Sequence, residues 1–268
     1  MEIALERGNL NRHYIMTTDY FRLLRDVEFD HLIKVLPKAR PCRLLEVGAG
    51  AGWQARRFHD LGFEVAAVDV PGSAYESSRV WDVRLYDGMT LPFEGSSFDI
   101  VFTSHVLERI VDLERFDAEI RRVLKPEGKA IHVLPSAGFG VWNIFLHYPF
   151  VFKLALQFFR GRSSTAAFQT YAERARTRSF LKNVRGVVFP YVLSVRGNAA
   201  TQAYFFSRRY WIRFFRGNDW IVEDVSPGGV FCSGNSLFGL TLDAAARKVL
   251  AAIFGSSSTV YSLKRGGA

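Results

Sequence analysis

An acidic residue stands two positions before a glycine cluster in the segment LLEVGAGAG, residues 44–52. The glycines Gly48, Gly50 and Gly52 let the backbone turn sharply and approach a ligand closely, while the helix that follows presents its free N–H groups. A carboxylate at Glu46 would repel a pyrophosphate, whereas it would attract a ligand that carries an ammonium and a sulfonium group. The pattern therefore predicts a site for a small, positively charged ligand at the end of a strand.

Two other kinds of glycine loop are disfavoured by the residues around this cluster. No Lys-Ser or Lys-Thr pair follows the glycines, so the loop is not a P-loop that grips phosphates. Trp53 occupies the third glycine position of the dinucleotide fingerprint, where helix and strand must pack closely, and we expect Gly52 to serve packing. Asp69 ends the second apolar run, where a carboxylate can accept hydrogen bonds from both hydroxyls of a ribose. That role fits both a dinucleotide and a nucleoside that carries a sulfonium group.

An alternation of strands and helices must hold these residues in place. Strands are predicted where short apolar runs lie between turn residues, over 43–47, 64–69, 83–87, 98–104 and 129–135. Helices are predicted between them, over 53–61, 75–80 and 112–124. Strands that alternate with helices and are apolar on both faces form a mostly parallel sheet covered on both sides. Ligands bind such sheets at the carboxyl ends of the strands, where Glu46 and Asp69 are expected.

Several segments together resemble the class I S-adenosylmethionine-dependent methyltransferases of the ubiquinone/menaquinone-methyltransferase-like type, methyltransferase type 11. They are LLEVGAGAG, the strand end at Asp69, DGMTLPFEGSSFDIVFTSHVLERI and RRVLKPEGKAIHVLPS, with matching spacing over residues 42–135. The resemblance implies an α/β, Rossmann-like sandwich of seven strands with the last strand antiparallel, and a helical insertion after strand five. It also implies S-adenosylmethionine as the cofactor. Segments near the carboxyl terminus resemble an uncharacterised bacterial subgroup, some members of which are associated with glycan or lipid biosynthesis.

The resemblance assigns cofactor contacts residue by residue. The expected contacts are Glu46, Gly48 and Gly50 at the methionine end, Asp69 at the ribose, Asp87, Gly88 and Met89 at the adenine, Ser104 and His105 at the floor after strand four, and the neighbouring Ala49 and Val70. One departure matters for mechanism. Arg109 stands where many members of the family carry a histidine, so a mechanism that depends on that histidine does not transfer to this chain.

Methyl transfer from a sulfonium is an in-line displacement, so near-attack geometry in a dry pocket can supply most of the catalysis, without a metal or a covalent nucleophile. An acceptor hydroxyl or amine would gain from a base, and His105 is the best placed because it follows strand four. The alternative is that His105 only lines the pocket. His147 is a second candidate base. We expect His132, inside a strand, to be a core residue, and Asp99 to cap or orient strand four.

The chain divides into five segments by composition. We predict an N-terminal helical cap over 1–41, the cofactor-binding core over 42–135, an aromatic and basic insertion that forms an acceptor-site lid over 136–200, the rest of the domain over 201–254, and a disordered tail over 255–268. The fourth segment is expected to contain a helix over 207–216 and a strand over 220–225. A further strand is predicted over 230–240.

The insertion begins apolar and continues basic. Residues 139–159 are long enough to cross a bilayer, but polar side chains interrupt them and Pro149 would kink a helix, so an interfacial helix or a lid is favoured over a span. From Arg160 to Arg216, twelve basic residues stand against one acid, Glu173, so this segment accounts for the whole formal net charge of +9. Three interpretations stay open: a solvated basic face, contact with an anionic membrane or lipid-linked substrate, and nucleic-acid binding.

Composition limits the remaining possibilities. The 49% hydrophobic content suffices for a sizeable core, and Cys42 and Cys232 lie too far apart to suggest a disulfide scaffold or a zinc site. The amino terminus does not resemble a signal peptide, so we expect a cytoplasmic protein that is peripheral to the membrane at most. The predicted function is methyl transfer to a small-molecule or lipid- or glycan-linked acceptor. The alternatives are an RNA methyltransferase, a non-catalytic protein that retains the fold, and an NAD-dependent oxidoreductase, which Glu46 disfavours.

Overall fold

A computed structural model describes residues 18–37, 41–73, 75–160, 189–190, 192–233 and 237–266. In chain order its helices and strands are α1 Thr18–Leu32, β1 Arg43–Val47, α2 Trp53–Asp60, β2 Glu64–Asp69, β3 Arg84–Leu85, β4 Phe98–Ser104, α3 Leu113–Val123, β5 Leu124–Pro135, α4 Ala137–Phe145, α5 His147–Phe159, α6 Gln202–Phe205, α7 Arg208–Gly217, β6 Trp220–Pro227, α8 Ala244–Phe254 and β7 Ser258–Arg265. Short 3-10 turns lie at Ile33–Val35, Glu76–Ser78, Leu107–Arg109 and Gly239–Thr241.

The strands form one seven-stranded sheet in the order β3-β2-β1-β4-β5-β7-β6. Neighbours from β3 to β5 are parallel, whereas β7 runs antiparallel to both β5 and β6. This confirms the predicted α/β sheet with an antiparallel last strand. Because the chain leaves β1 toward β2 on one side and later returns to β4 on the other, a crevice forms beyond the carboxyl ends of β1 and β4.

Helices cover both faces of the sheet, and the alternation along β1 shows how. Leu44 belongs to the core cluster with Phe29 of α1 and Phe58 of α2, whereas Leu45 belongs to the cluster with Phe116 of α3 and Phe215 of α7. Since side chains alternate between the faces of a strand, Glu46 lies on the same face as Leu44, beneath α1 and α2. The core thereby sets the side of the sheet on which this carboxylate is buried.

The predicted disordered tail over 255–268 is wrong. Most of it is β7, which fills the place between β5 and β6 and buries Val260, Tyr261 and Leu263. Small residues at the start of the segment and a basic, glycine-rich end are typical of a tail. The apolar residues between them nonetheless form a strand that pairs with β5 on one side and with β6 on the other.

Three other local predictions need correction. Within the described part of 230–240 there is no strand; Val230 instead packs against α1, so tertiary burial explains the apolar composition. The segment 244–254, for which we predicted no element, is α8. The helix predicted over 75–80 is reduced to the 3-10 turn Glu76–Ser78, and the strand predicted over 83–87 to the two residues of β3.

A helical insertion does follow strand five, as predicted. It begins with α4 and α5, which are separated at Leu146. Pro149 lies in the first turn of α5, where a proline disturbs no helical hydrogen bond. Residues 161–188, including Arg174, Arg176 and Arg178, lie outside the described residues, so the lid stays a prediction. Within the described ranges, none of the helices combines the length and the apolar composition that crossing a membrane requires.

Candidate active site

The glycine turn connects β1 to α2 and is held against the end of β2. The backbone N–H groups of Gly48 and Ala49 both donate to the carbonyl oxygen of Val68, at 2.9 and 3.0 Å. Gly48 has a φ of +76°, and a Cβ atom there would lie 2.4 Å from Cγ2 of Val106. A side chain at this position would therefore be both strained and in collision with the loop that follows β4.

The next two glycines are closed in by aromatic residues. A Cβ atom at Gly50 would lie 3.2 Å from the ring of Tyr75, and that ring makes an edge contact with Phe21 of α1 at a centroid distance of 6.1 Å. The N-terminal helix therefore lies over the turn. A Cβ atom at Gly52 would lie 2.5 Å from Cβ of Trp81, which confirms a packing role for this glycine.

Two carboxylates next to the turn keep an unused oxygen. Oε2 of Glu46 and Oδ2 of Asp69 are buried and have no hydrogen-bond partner among the described residues, whereas Oδ1 of Asp69 accepts from the N–H of Val70 at 2.9 Å. Burial, helped by the nearby charge of Asp69, raises the pKa of Glu46 to about 8, and burial also raises the pKa of Asp69. The hydroxyl oxygen of Ser104 is buried without a partner too. This set of acceptors fits a ligand that brings positive charge and hydroxyl donors.

A second loop follows β3 and lies beside the end of β2. Asp87 accepts hydrogen bonds from the N–H groups of Met89 and Thr90, at 2.8 and 2.7 Å, and these two bonds lower the pKa of Asp87. Gly88 has a φ of +84°, and a Cβ atom there would lie 3.2 Å from Cγ1 of Val70. The fold thus brings the predicted adenine loop next to Val70, and the contacts of both with the cofactor stay predictions.

His105 follows β4 directly and lies beside the glycine turn, since its neighbour Val106 meets Gly48. Its φ of +57° is unusual for a residue other than glycine, and its N–H donates to the carbonyl oxygen of Val133 at 2.8 Å. Nε2 of its ring lies 3.1 Å from Oε1 of Glu28 on α1. His105 therefore joins the cofactor side of the site to the N-terminal helix.

Sequence reasoning missed the charged partners of His105. Glu28 is buried and forms an ion pair with Arg25 one helical turn earlier. Glu108 is also buried; its Oε1 lies 3.9 Å from Nδ1 of His105 and 3.7 Å from Nε of Arg109, so Arg109 pairs with its own neighbour. The available signal was an Arg and a Glu three residues apart, on a helix whose neighbouring positions are apolar.

The other singled-out residues lie elsewhere. His132 is fully buried, its Nδ1 lies 2.8 Å from the hydroxyl of Thr103, and burial lowers its pKa to about 3, which confirms a core residue. Asp99 accepts from the N–H of Arg43 and from Lys125, as expected of a residue that orients β4. His147 is the buried first residue of α5, and its catalytic role stays a prediction.

Part of the chain is similar in sequence, and the whole fold is similar in structure, to known proteins. Residues 45–132 match the family model described as a methyltransferase domain. The chain matches a structure of an S-adenosylmethionine-dependent methyltransferase from Mesorhizobium loti over 89% of this chain and 98% of that chain, with a TM-score of 0.52 and 15% identity. At this identity the likeness shows the fold alone, and it is the class I methyltransferase fold predicted from the sequence motifs.

Two proteins with known names are similar in sequence to part of this chain. Demethylmenaquinone methyltransferase from Renibacterium salmoninarum is 33% identical over 135 residues, which cover 48% of this chain and 57% of that protein. Phosphoethanolamine N-methyltransferase 2 from Caenorhabditis elegans is 30% identical over 108 residues, which cover 36% of this chain and 24% of that protein. The chain thus spans less than two thirds of the length of either relative.

The domain family and the fold imply S-adenosylmethionine as the cofactor, and the residues present fit it. The buried oxygens of Glu46 and Asp69 without partners suit an ammonium group and a ribose diol. In the described part of the chain, no group of three or more His, Cys, Asp or Glu side chains is arranged to hold a metal ion.

Proposed function

We propose that this protein transfers the methyl group of S-adenosylmethionine to a small-molecule or lipid- or glycan-linked acceptor. The observation that carries the proposal is the buried carboxylate of Glu46, which keeps an oxygen without a partner two positions before a glycine turn. Burial holds this carboxyl group largely protonated, and a pyrophosphate cofactor would oppose its ionisation further, whereas the sulfonium and ammonium of S-adenosylmethionine would favour the ionised form and offset its burial. The same argument disfavours an NAD-dependent oxidoreductase.

The residues of the site divide the cofactor between them. Glu46, Gly48, Ala49 and Gly50 hold the methionine end, Asp69 and Val70 the ribose, Asp87, Gly88 and Met89 the adenine, and Ser104 and His105 the floor. When bound, the cofactor supplies an electrophilic methyl group. The protein's contribution is to orient the acceptor and to exclude water, and α1, which lies over the glycine turn, serves the second task.

A base that takes the acceptor's proton would help where the acceptor is a hydroxyl or an amine. His105 is our first candidate because it lies beside the glycine turn at the end of β4. His147 remains a second candidate, since it is buried at the start of the insertion. Ala substitution of each, with turnover and cofactor affinity measured separately, distinguishes a base from a pocket wall.

Isothermal titration calorimetry of the full chain with S-adenosylmethionine, S-adenosylhomocysteine and NAD tests the proposal. We expect binding of the first two and a loss of affinity of about tenfold or more in Glu46→Gln, since a lost charge-assisted hydrogen bond costs about 1.5–3 kcal/mol. The matched control is Glu64→Gln, because Glu64 is an exposed carboxylate that pairs with Arg43 on the surface. Binding of NAD without binding of S-adenosylmethionine would overturn the proposal.

The acceptor is best sought by metabolite and lipid profiling of cells with and without the gene. We expect one compound to be replaced, in the deletion strain, by a precursor that is lighter by one CH2 unit, because methylation replaces a hydrogen by a methyl group. Stoichiometric cofactor binding without any such pair would instead support a non-catalytic protein that retains the fold.

A specific observation favours a lipid-linked acceptor and membrane contact. Large apolar side chains are exposed along three neighbouring helices: Val141 and Phe145 on α4, Tyr148, Phe152 and Phe159 on α5, and Val249, Ile253 and Phe254 on α8. Trp142 joins α4 to α8, because its ring lies 5.3 Å from that of Phe254. Arg160 directly follows α5 and opens the basic segment. An apolar surface next to basic residues is typical of proteins that dock on anionic lipid.

Vesicle co-sedimentation tests this contact. We expect salt-sensitive binding to vesicles that contain phosphatidylglycerol, no binding to phosphatidylcholine alone, and a marked loss of binding in Phe145→Ser/Phe152→Ser. Val111→Ser, an equally exposed side chain before α3, serves as the control. No binding to anionic vesicles at low salt would end the membrane proposal. Salt-sensitive RNA binding that is lost on neutralising Arg174, Arg176 and Arg178 would favour the RNA methyltransferase instead.

A further inference from the structure

The contact between Glu28 and His105 joins two residues 77 positions apart. Glu28 lies on α1, outside the segment that matches the methyltransferase domain, and only 2% of its surface is exposed. A carboxylate is costly to bury unless it is paired. Glu28 has two partners, the guanidinium of Arg25 and Nε2 of His105. Despite burial, these partners lower the pKa of Glu28 to about 2, so the carboxylate is ionised.

An ionised carboxylate can only accept a hydrogen bond. The 3.1 Å contact therefore requires a proton on Nε2 of His105, and in the neutral ring this leaves the lone pair on Nδ1. Nδ1 is not used by a hydrogen bond to Glu108, whose Oε1 lies 3.9 Å away. The ring thus keeps its basic nitrogen, Nδ1, away from the contact with Glu28 and on the side of Glu108.

Two carboxylates flank the ring of His105. The carboxylates of Glu28 and Glu108 lie near opposite nitrogens of His105, and each has an arginine of its own, Arg25 and Arg109. Ser258 and the thiol of Cys232 also lie near Glu28. Nε2 of the ring therefore faces the carboxylate of Glu28 at 3.1 Å, and Nδ1 faces that of Glu108 at 3.9 Å.

The backbone at His105 supports the same conclusion. Its left-handed conformation, with φ at +57°, costs free energy for a residue with a side chain, and such strain persists where the surrounding structure imposes it. Here the N–H of His105 is bonded to β5 at Val133, and the ring is bonded to α1. The strained turn directs the imidazole toward Glu28 while Val106 closes on Gly48.

We infer that Glu28 is a positioning residue that holds His105 in the Nε2–H tautomer, so that Nδ1 is the atom that takes the proton of the acceptor. The inference rests on the proposed methyl transfer. The O–H or N–H bond of the acceptor would break, its proton would go to Nδ1, and its electron pair would form the new bond to the methyl group. The methyl–sulfur bond of the bound cofactor would break at the same time, and its electron pair would stay on sulfur. No oxidant or reductant is consumed. The N-terminal helix, through Glu28, thereby completes the site that the methyltransferase domain begins.

Nitrogen-15 NMR of the imidazole rings in the full-length protein tests the inference. The sequence has six histidines, and the signals of His105 are assigned by comparison with His105→Gln. At a pH where the ring is neutral, we expect the Nε2–H tautomer in the wild type, with slow exchange of the Nε2 proton. In Glu28→Ala we expect mixed tautomers and proton exchange at least tenfold faster, and Glu28→Asp should restore part of the protection.

Two controls separate positioning from stability. Arg25→Ala/Glu28→Ala removes both charges and so avoids an unpaired buried arginine, and Asp30→Ala removes a carboxylate of α1 that pairs with Arg57 and Lys248 instead. Asp30→Ala should leave the His105 signals unchanged. An Nδ1–H tautomer in the wild type, or unchanged signals in folded Glu28→Ala, would overturn the inference. Calorimetry on the same samples distinguishes the failures, because a wild type that ignores S-adenosylmethionine refutes methyl transfer whatever the tautomer.

Discussion

Burial and the charge of a bound ligand shift the pKa of Glu46 in opposite directions. Burial raises its pKa to about 8, so near neutral pH the free protein holds it largely protonated. A ligand cation favours the ionised form and lowers that pKa again. We therefore predict that binding of S-adenosylmethionine at pH 7 releases a proton. Calorimetry in buffers of different ionisation enthalpy measures this release directly.

The raised pKa of Glu46 also determines how the stability of the fold and the affinity for the cofactor change with pH. Because the pKa of Glu46 in the fold lies above the ordinary value of 4.5, its contribution to the free energy of unfolding is fully present below about pH 4.5 and is lost as the pH rises through 8. Cofactor affinity moves the other way, rising with pH up to about 8. Glu46→Gln should remove both the proton release and this rise, and a proton release that persists in the variant would contradict the assignment.

Gly48 allows a second prediction at the scale of one residue. Gly48→Ala should weaken cofactor binding by about tenfold or more and destabilise the fold by about 1–2 kcal/mol or more, because the left-handed backbone strains alanine and its Cβ would meet Val106. Adding Val106→Ala should restore part of both losses. Titration calorimetry and urea unfolding measure them.

Gly239→Ala is the matched control for backbone strain. Gly239 also has a positive φ, +48°, but nothing lies within 4 Å of the position of its Cβ. It should therefore show the strain without the collision, with cofactor affinity unchanged. Equal losses in Gly48→Ala and Gly239→Ala would mean that the contact with Val106 is unimportant.

At the scale of elements, one buried hydrogen-bonded pair connects α3 to β6. Nε1 of Trp220 lies 2.9 Å from both carboxylate oxygens of Asp117, and burial raises the pKa of Asp117 to about 6. Trp220→Phe should lower the free energy of unfolding by about 1–3 kcal/mol, since it leaves a buried carboxylate without its donor. The loss should grow as the pH rises through 6, where the carboxyl becomes charged. Urea unfolding at pH 5 and pH 8 measures it.

Trp142→Phe provides the comparison for this pair. Trp142 also donates through Nε1, at 3.1 Å to the carbonyl oxygen of Phe254, but on an exposed part of the surface where water can replace it. Its loss should be smaller and independent of pH between 5 and 8. A pH-independent loss in Trp220→Phe would show that packing, and not the hydrogen bond, explains the effect.

At the scale of the whole molecule, β7 holds the antiparallel half of the sheet together. It pairs with β5 on one side and β6 on the other, and Val260, Tyr261 and Leu263 are buried. A chain that ends at Ser257 should lose cooperative urea unfolding and its near-ultraviolet circular dichroism, because β6 would have no strand beside it within the described sheet. A chain that ends at Gly266 should keep both. Cooperative unfolding of the shorter chain would contradict this role of β7.

Local patterns explain what could be predicted from the sequence. The order of strands and helices up to β5, the glycine turn and the carboxylates Glu46 and Asp69 all follow from residues within a few positions of each other. Periodicity of apolar residues and the backbone freedom of glycine act at that range. The parallel α/β core was therefore predictable from these local patterns, whereas the class I fold was predicted from the resemblance of the motifs to a known family.

Long-range packing decided the rest. The sequence by itself determined a parallel α/β core and a site for a positively charged cofactor at its carboxyl edge. Only the tertiary structure decided that the last strand enters the sheet between β5 and β6, that α1 lies over the glycine turn, and that Glu28 reaches His105. The physical reason is that these features depend on which distant surfaces bury each other, and a strand or a buried ion pair carries no local sign of its partner.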